Sequence, residues 1–245
     1  MTGEQQKVYD ALMAYYESHH RGKNFLAKDF VAHMEPIFRE IGCRQAPEPG
    51  HRPRILVLRD DAAGDFILAS AFLRELRRIY PAAHITLLAS ERNLEFARCC
   101  PYVDNLLIND TAGAGPGFWK VYKAIAPFAV EHLLPLHFDL AFSGRLGIQS
   151  VDVLLMYMSG AFARVGYTQD RPGPQGKLFR IGWDVMMTHA LPFRQRIESD
   201  VDRDLFLLEA LLHLPIADRR IEVWTLAEDR EAGSGRWLLC GRRRV

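Results

Sequence analysis

Three aspartates and one glycine follow the first strongly apolar run of this 245-residue chain. The run at residues 55–58 leads into "RDDAAGDF", which contains Asp60, Asp61, Gly64 and Asp65. A carboxylate in such a loop can accept a proton from a hydroxyl group while that hydroxyl attacks an electrophile, which is general-base catalysis. The loop lacks both the G-x-G-x-x-G and the G-x-x-x-x-G-K-[ST] phosphate-binding patterns. The segment is therefore not predicted to be a phosphate cradle.

Asp65 has a structural interpretation as well as a catalytic one. It lies in the predicted first turn of a helix, where a carboxylate caps free main-chain N–H groups and complements the helix dipole. The dipole also favours the ionised form of the carboxylate, which suits a proton acceptor. The segment on its own leaves both interpretations open.

The composition is that of an ordinary globular protein, with 49% hydrophobic residues, 25% charged residues and a net charge of +1. This balance argues against a nucleic-acid-binding protein, which normally carries a basic face. The four cysteines show no C-x-x-C spacing and are interpreted as buried or idle thiols. No signal peptide or stretch of about 20 apolar residues is found. We therefore expect a cytoplasmic protein.

The chain begins with helices and then alternates strands with helices. Helices are predicted over residues 4–20 and 25–41, with Pro36 bending or restarting the second, and a Pro-rich linker follows. Strands are then predicted at 55–58, "HITLLAS", "VDNLLI", 138–143 and "ARVGY", and "RIEVWTL" is predicted as a strand or an extended connection. Helices are predicted at 65–79, 91–99, 118–133 and 149–160, and one more begins at Ser199 or Asp200. This alternation predicts βαβ units and an α/β fold with a doubly wound parallel sheet.

Four blocks of the sequence together carry a family resemblance over about residues 54–225. They are "ILVLRDDAAGDFILASAFLRELRRIYPAAHITLLAS", "CPYVDNLLIND", "FDLAFSGR" and "MSGAFARVGY". In order and spacing they resemble the N-terminal domain of the ADP-heptose:lipopolysaccharide heptosyltransferases, glycosyltransferase family 9. The resemblance implies a Rossmann-like acceptor-binding domain, which is the N-terminal half of a GT-B fold, here preceded by a helical extension.

The resemblance also implies an activity and a set of site residues. Asp65 would be the general base of an inverting, metal-independent transfer from a nucleotide-sugar donor to a lipid-linked, lipopolysaccharide-type acceptor, with no cofactor. Arg59, Asp61, Gly64 and Arg145 would bind substrate, and the protein would contact the inner face of the cytoplasmic membrane. Two alternatives remain: Arg59 could form an ion pair with a neighbouring aspartate, and Arg145 could be an ordinary solvated arginine.

The predicted organisation is a helical extension at 1–45, a linker at 46–53, the acceptor-binding domain at 54–228 and the start of a donor domain, or a disordered tail, at 229–245. The chain departs from the family pattern at "SDVDR", where Ser199 occupies a histidine position. It is expected to be truncated before a donor-binding domain. The alternative function is therefore a non-catalytic module that binds the acceptor or a partner protein. An unrelated nucleotide-binding enzyme is disfavoured because the glycine fingerprint is missing.

Overall fold

The structure is a computed structural model of the chain. It describes residues 1–21, 24–48, 50–109, 117–144, 151–168, 171–172, 178–179, 182–192 and 199–225.

Six parallel strands form the central sheet in the described part of the chain. The strands are β1 (Arg54–Arg59), β2 (His84–Ala89), β3 (Asn105–Ile108), β4 (Leu140–Ser143), β5 (Ala163–Tyr167) and β8 (His189–Leu191). Their order is β3-β2-β1-β4-β5-β8, and every adjacent pair is parallel. A separate antiparallel pair consists of β6 (Arg171–Pro172) and β7 (Leu178–Phe179). The predicted doubly wound, Rossmann-like sheet is confirmed.

Helices connect the strands and cover both faces of the sheet. The α-helices are α1 (Gly3–His19), α2 (Ala27–Glu40), α3 (Ala63–Leu68), α4 (Ser70–Ile79), α5 (Leu94–Ala97), α6 (Phe118–Phe128), α7 (Val151–Met158) and α8 (Asp200–Leu212). A π-helical turn (Ala129–Leu133) and a 3-10 turn (Leu134–Leu136) continue α6, and a second 3-10 turn lies at Trp183–Met186. None of the described helices is long and apolar enough to cross a membrane.

The two N-terminal helices share an apolar core with one face of the sheet. Phe30 of α2 is fully buried in the same cluster as Leu56 of β1 and Tyr157 of α7. The Tyr122 hydroxyl on α6 donates a 3.0 Å hydrogen bond to the main-chain oxygen of Leu12 on α1. The helices predicted as an extension therefore cover apolar surface that belongs to the sheet domain.

The opposite face of the sheet packs against α3, α4, α5 and α8. Phe66, Leu73 and Leu205 from three of these helices are fully buried together with Ile85 of β2. The chain after α8 runs over α4 to residue 225 without forming a strand. That segment is the predicted "RIEVWTL" element, and it is an extended connection rather than a strand.

Three other predictions differ from the structure. The helix predicted at 65–79 is two helices that are separated at Ala69, and the Ser70 hydroxyl at the start of the second accepts a 2.7 Å hydrogen bond from the main-chain N–H of Glu222. Strand β8 lies in a segment that the sequence left irregular, because it has only three residues and Pro192 follows it. Helix α2 continues through Pro36 without a restart.

Candidate active site at the carboxyl end of the sheet

The strand order reverses between β1 and β4, and ligands of open α/β sheets bind at the carboxyl ends of the strands beside such a switch point. Residues after β1 and β4 therefore form the expected site. These two strands are directly paired, with Leu58 opposite Ser143. Arg59 ends β1 and Gly144 follows β4, so the loops predicted to carry chemistry start beside each other.

Asp65 lies in the first turn of α3 and is partly exposed to solvent. Its main-chain oxygen accepts hydrogen bonds from the Arg59 side chain at 2.8 Å and from the Ala69 N–H at 3.1 Å. Its carboxylate makes no hydrogen bond or ion pair with the residues that the structure describes. The main chain of Asp65 is thus fixed by the protein, and the residue is partly exposed to solvent beside the switch point.

Arg59 is buried among carboxylates and is only 2% exposed. Its Nη1 donates to Asp204 Oδ1 at 3.1 Å, and its Nη2 lies 3.1 Å from Asp204 Oδ2. Its Nε lies 3.5 Å from Asp61 Oδ2. Burial on its own would lower the pKa of the Arg59 guanidinium, but the nearby carboxylates together outweigh burial and raise that pKa, Asp204 most and then Asp61, Asp65 and Asp152. The arginine therefore stays charged.

Asp204 reaches Arg59 from α8 and is itself only 2% exposed. Burial raises the pKa of the Asp204 carboxyl to about 6, and Arg59 and Arg203 oppose that shift. A side chain at position 144 would block the contact, because a Cβ added to Gly144 would lie 2.1 Å from Asp204 Oδ1. Glycine at this position is what lets the ion pair form against the end of β4.

The β1–α3 loop, residues 60–62, is also held from the neighbouring strands. The Asn93 amide, which follows β2, donates to the main-chain oxygens of Arg59 at 2.6 Å and Asp61 at 3.1 Å. The Asn109 amide, which follows β3, donates to Asp60 Oδ2 at 3.0 Å. Residues from several strand ends thus fix the loop that precedes Asp65.

The other predicted site residues have different surroundings. Asp61 is buried beside Arg59 and is 6% exposed. Gly64 is exposed, and an added Cβ would meet no atom within 4 Å, so lack of space does not require glycine there. Arg145 lies outside the described residues. The assignment of Arg59, Asp61, Gly64 and Arg145 to substrate binding stays a prediction.

The described residues include side chains of the types that bind metal ions, and two of their cysteine thiols are buried. No group of three or more His, Cys, Asp or Glu side chains in these ranges could hold a metal ion. Burial raises the pKa of the Cys43 thiol to about 11 and that of Cys100 to about 12. Both thiols are therefore protonated and poor nucleophiles at neutral pH.

Two residues of this site were not singled out in the sequence. Asp204 follows Val201 by three residues and precedes Leu208 by four, so it lies on the apolar, inward stripe of α8. An acid on such a stripe signals a buried partner, and that partner is Arg59. Gly144 carries a weaker signal, since a glycine directly after a strand usually indicates only a turn.

No family model and no curated protein sequence matches the chain. Solved structures do match it. A glycosyl transferase family 9 protein from Veillonella parvula DSM 2008 is 20% identical with a TM-score of 0.58, over 74% of this chain and 47% of that one. E. coli heptosyltransferase WaaC with ADP-2-deoxy-2-fluoro heptose is 12% identical with a TM-score of 0.51, over 67% and 50%. E. coli ADP-heptose lps heptosyltransferase II is 15% identical with a TM-score of 0.52, over 74% and 50%.

These similarities concern the fold. They confirm that the predicted resemblance holds at the level of chain architecture, with identities too low to transfer an activity. The chain spans about half the length of each solved structure that it matches.

Proposed function

We propose that this chain is the acceptor-binding part of an inverting glycosyltransferase of the heptosyltransferase type. The donor would be a nucleotide sugar similar to ADP-heptose, and the acceptor a lipopolysaccharide-type saccharide linked to lipid. Such a protein would work in the cytoplasm, at the inner face of the cytoplasmic membrane. The fold shared with family 9 structures supports the reaction class, and the geometry around Asp65 supports the role of its carboxylate.

The observation that carries the proposal is the difference between Asp65 and the acids around it. Asp61 and Asp204 are buried against Arg59, and Asp60 accepts a hydrogen bond from Asn109. Asp65 has a fixed backbone and a partly exposed carboxylate at the switch point of the sheet. A general base needs that combination of a set position and access to the substrate.

In the proposed reaction, an acceptor hydroxyl oxygen attacks the anomeric carbon of the donor and forms the new C–O bond. The bond between that carbon and the diphosphate oxygen breaks, and its electron pair leaves with the nucleoside diphosphate. Asp65 takes the hydroxyl proton as the attack proceeds. A single displacement of this kind inverts the configuration of the anomeric carbon.

The test is to incubate the purified protein, together with a separately supplied donor-binding domain of a heptosyltransferase, with ADP-heptose and a lipid-linked acceptor, and to analyse the acceptor by mass spectrometry. The proposal predicts a gain of one heptose residue and release of ADP. Calorimetry with the acceptor separates the alternative: acceptor binding without any transfer, even beside the supplied donor-binding domain, would indicate a non-catalytic binding module. Absence of both acceptor binding and sugar transfer would refute the proposal.

A further inference from the structure

The Asp65 main-chain oxygen is held by a side chain that is itself held from a distant helix. Arg59 Nη2 donates to this oxygen at 2.8 Å and lies 3.1 Å from Asp204 Oδ2. One guanidinium nitrogen therefore joins helix α8 to the first turn of α3. Asp65 and Asp204 are 139 positions apart in the sequence.

We propose that Asp204 is a positioning residue for Asp65 and acts through Arg59. This inference rests on the proposed function, in which Asp65 accepts the proton of the acceptor hydroxyl. Asp204 is only 2% exposed, so it does not touch the substrate. Its role is to fix the orientation of the guanidinium and, through it, the main chain from which the Asp65 carboxylate projects.

The geometry favours this role because the guanidinium is fixed in two directions. Asp204 Oδ1 accepts a hydrogen bond from Nη1 at 3.1 Å, and Asp204 Oδ2 lies 3.1 Å from Nη2, so one carboxylate restrains both terminal nitrogens of Arg59. Asp61 contacts its Nε at 3.5 Å. With the plane set, Nη2 is directed at the Asp65 oxygen, which also accepts from Ala69 and so belongs to the hydrogen-bond ladder of α3.

The surroundings of the pair constrain where the Asp204 carboxylate can lie. Both charged groups are buried, and removing one partner of a buried ion pair is strongly destabilising because it leaves the other charge uncompensated. Gly144 adds a second constraint, because any side chain there would displace the Asp204 carboxylate. Reacting groups are held in place by residues whose own positions are fixed by packing and by their partners, and Asp204 meets that description.

The test compares Asp204→Asn with wild type and with Glu75→Gln. Asparagine keeps the size of the side chain and an acceptor oxygen but removes the charge that orients Arg59. Glu75 is a matched control because it is an acid of 3% exposure, paired with Arg74 and Arg78 and remote from Arg59. We expect Asp204→Asn to lower kcat by about tenfold or more and to leave the acceptor KM within about twofold, since misplacing a base costs rate rather than binding. Glu75→Gln should leave kcat unchanged.

A merely structural role for Asp204 would produce a different pattern. It would lower the thermal midpoint of unfolding and leave the kcat of the folded protein unchanged, whereas the inference expects the kcat of the folded protein to fall. If Asp65→Asn is inactive and Asp204→Asn keeps the wild-type kcat, the inference is overturned. The proposed function stands in that case. Full activity of Asp65→Asn would instead refute the proposed function.

Amide hydrogen exchange decides the positioning claim independently of turnover. The reporters are the amides of Phe66 and Ala69, which hydrogen-bond to the main-chain oxygens of Ala62 and Asp65. In Asp204→Asn these amides should exchange about tenfold faster, while those of β2 keep their wild-type rates, because only the first turn of α3 loses its support. Unchanged exchange at both reporters would overturn the inference whatever the activity.

Discussion

The Arg59 guanidinium and the Asp204 carboxylate form a two-point ion pair, with both contacts at 3.1 Å, beneath the carboxyl end of the parallel sheet. The pair connects the end of β1 to α8 at the strand-order switch point. Through the Asp65 main-chain oxygen it also reaches the first turn of α3. The pair therefore lies next to the main chain from which the Asp65 carboxylate projects.

Replacement of Gly144 by alanine should disrupt the pair and destabilise the protein. The new Cβ would lie 2.1 Å from Asp204 Oδ1 and 3.0 Å from Arg59 Nη1, so one of these groups must move. Overpacking of this kind costs about 1–3 kcal/mol of unfolding free energy. Urea unfolding measures the loss, with Gly64→Ala as the control because its added Cβ meets no atom within 4 Å. Equal stability of the two variants would contradict the description of the pair.

The stability contribution of Asp204 should depend on pH with a defined sign. Its folded-state pKa of about 6 lies above the ordinary aspartate pKa of 3.8, so between these values the folded protein binds more protons than the unfolded chain. The free energy of unfolding contributed by this group therefore falls as pH rises from about 4 to about 6, and is level above that range. The groups that face Asp204 are Arg59, Arg203, Asp61 and Asp200.

The comparison with Asp204→Asn isolates that contribution, since asparagine does not titrate. The difference in unfolding free energy, wild type minus variant, should decrease between pH 4 and pH 6 and then stay constant. Denaturant unfolding at intervals of pH provides the measurement. A difference that increases over the same interval would show that the ionised pair is a net stabiliser and that burial is not the dominant effect.

The N-terminal helices should be required for a stable sheet domain. Removal of residues 1–45 would uncover Tyr122, Val130 and Tyr157, which are all fully buried against them. An exposed apolar patch of this kind promotes aggregation. Size-exclusion chromatography should show aggregates for the shortened chain, while Phe30→Ala, a single deletion within the same core, should remain monodisperse and lose about 3–5 kcal/mol. A monomeric, cooperatively folded product of the deletion would show that the helices are an independent extension.

The segment after α8 should be held on the sheet domain by Glu222. Its carboxylate accepts hydrogen bonds from Tyr102 at 2.9 Å, Trp224 at 3.0 Å and Arg74 at 3.3 Å. Glu222→Ala leaves these donors without that acceptor and should cost about 1–3 kcal/mol. Limited proteolysis with trypsin should then cleave faster at Arg219 and Arg220. Val223→Ala is the control, because that side chain is 47% exposed; similar cleavage of both variants would contradict the role of Glu222.

The sequence predicts the strands with apolar runs well and the tertiary contacts poorly. Strand β1 and the N-cap at Ser199 follow from local patterns, and both are confirmed. The contact between the Ser70 hydroxyl and the Glu222 N–H follows from no local pattern, since Glu222 is distant in sequence. Strand β8 was missed for a related reason: its three residues pair with β5, and only the assembled sheet provides that partner.

In the candidate site, too, local features can be predicted from the sequence and tertiary contacts cannot. The position of Asp65 at a strand–helix junction can be predicted from the order of residues around it. The Arg59–Asp204 pair cannot, because its two charges are far apart in the chain and each has nearer ions with which it could pair. The signal that was available is the placement of Asp204 on the apolar stripe of α8, where an ionised side chain requires a buried partner.

The most direct test of the central claim measures turnover and acceptor binding in Asp65→Asn, with Asp60→Asn as a neighbouring control. Asparagine has the shape of aspartate but cannot take a proton from the acceptor hydroxyl. The expected result is a fall in kcat by about 10²–10⁴, with unchanged acceptor affinity by calorimetry and with Asp60→Asn retaining wild-type turnover. Turnover of Asp65→Asn at the wild-type rate would contradict the claim that this carboxylate is the general base.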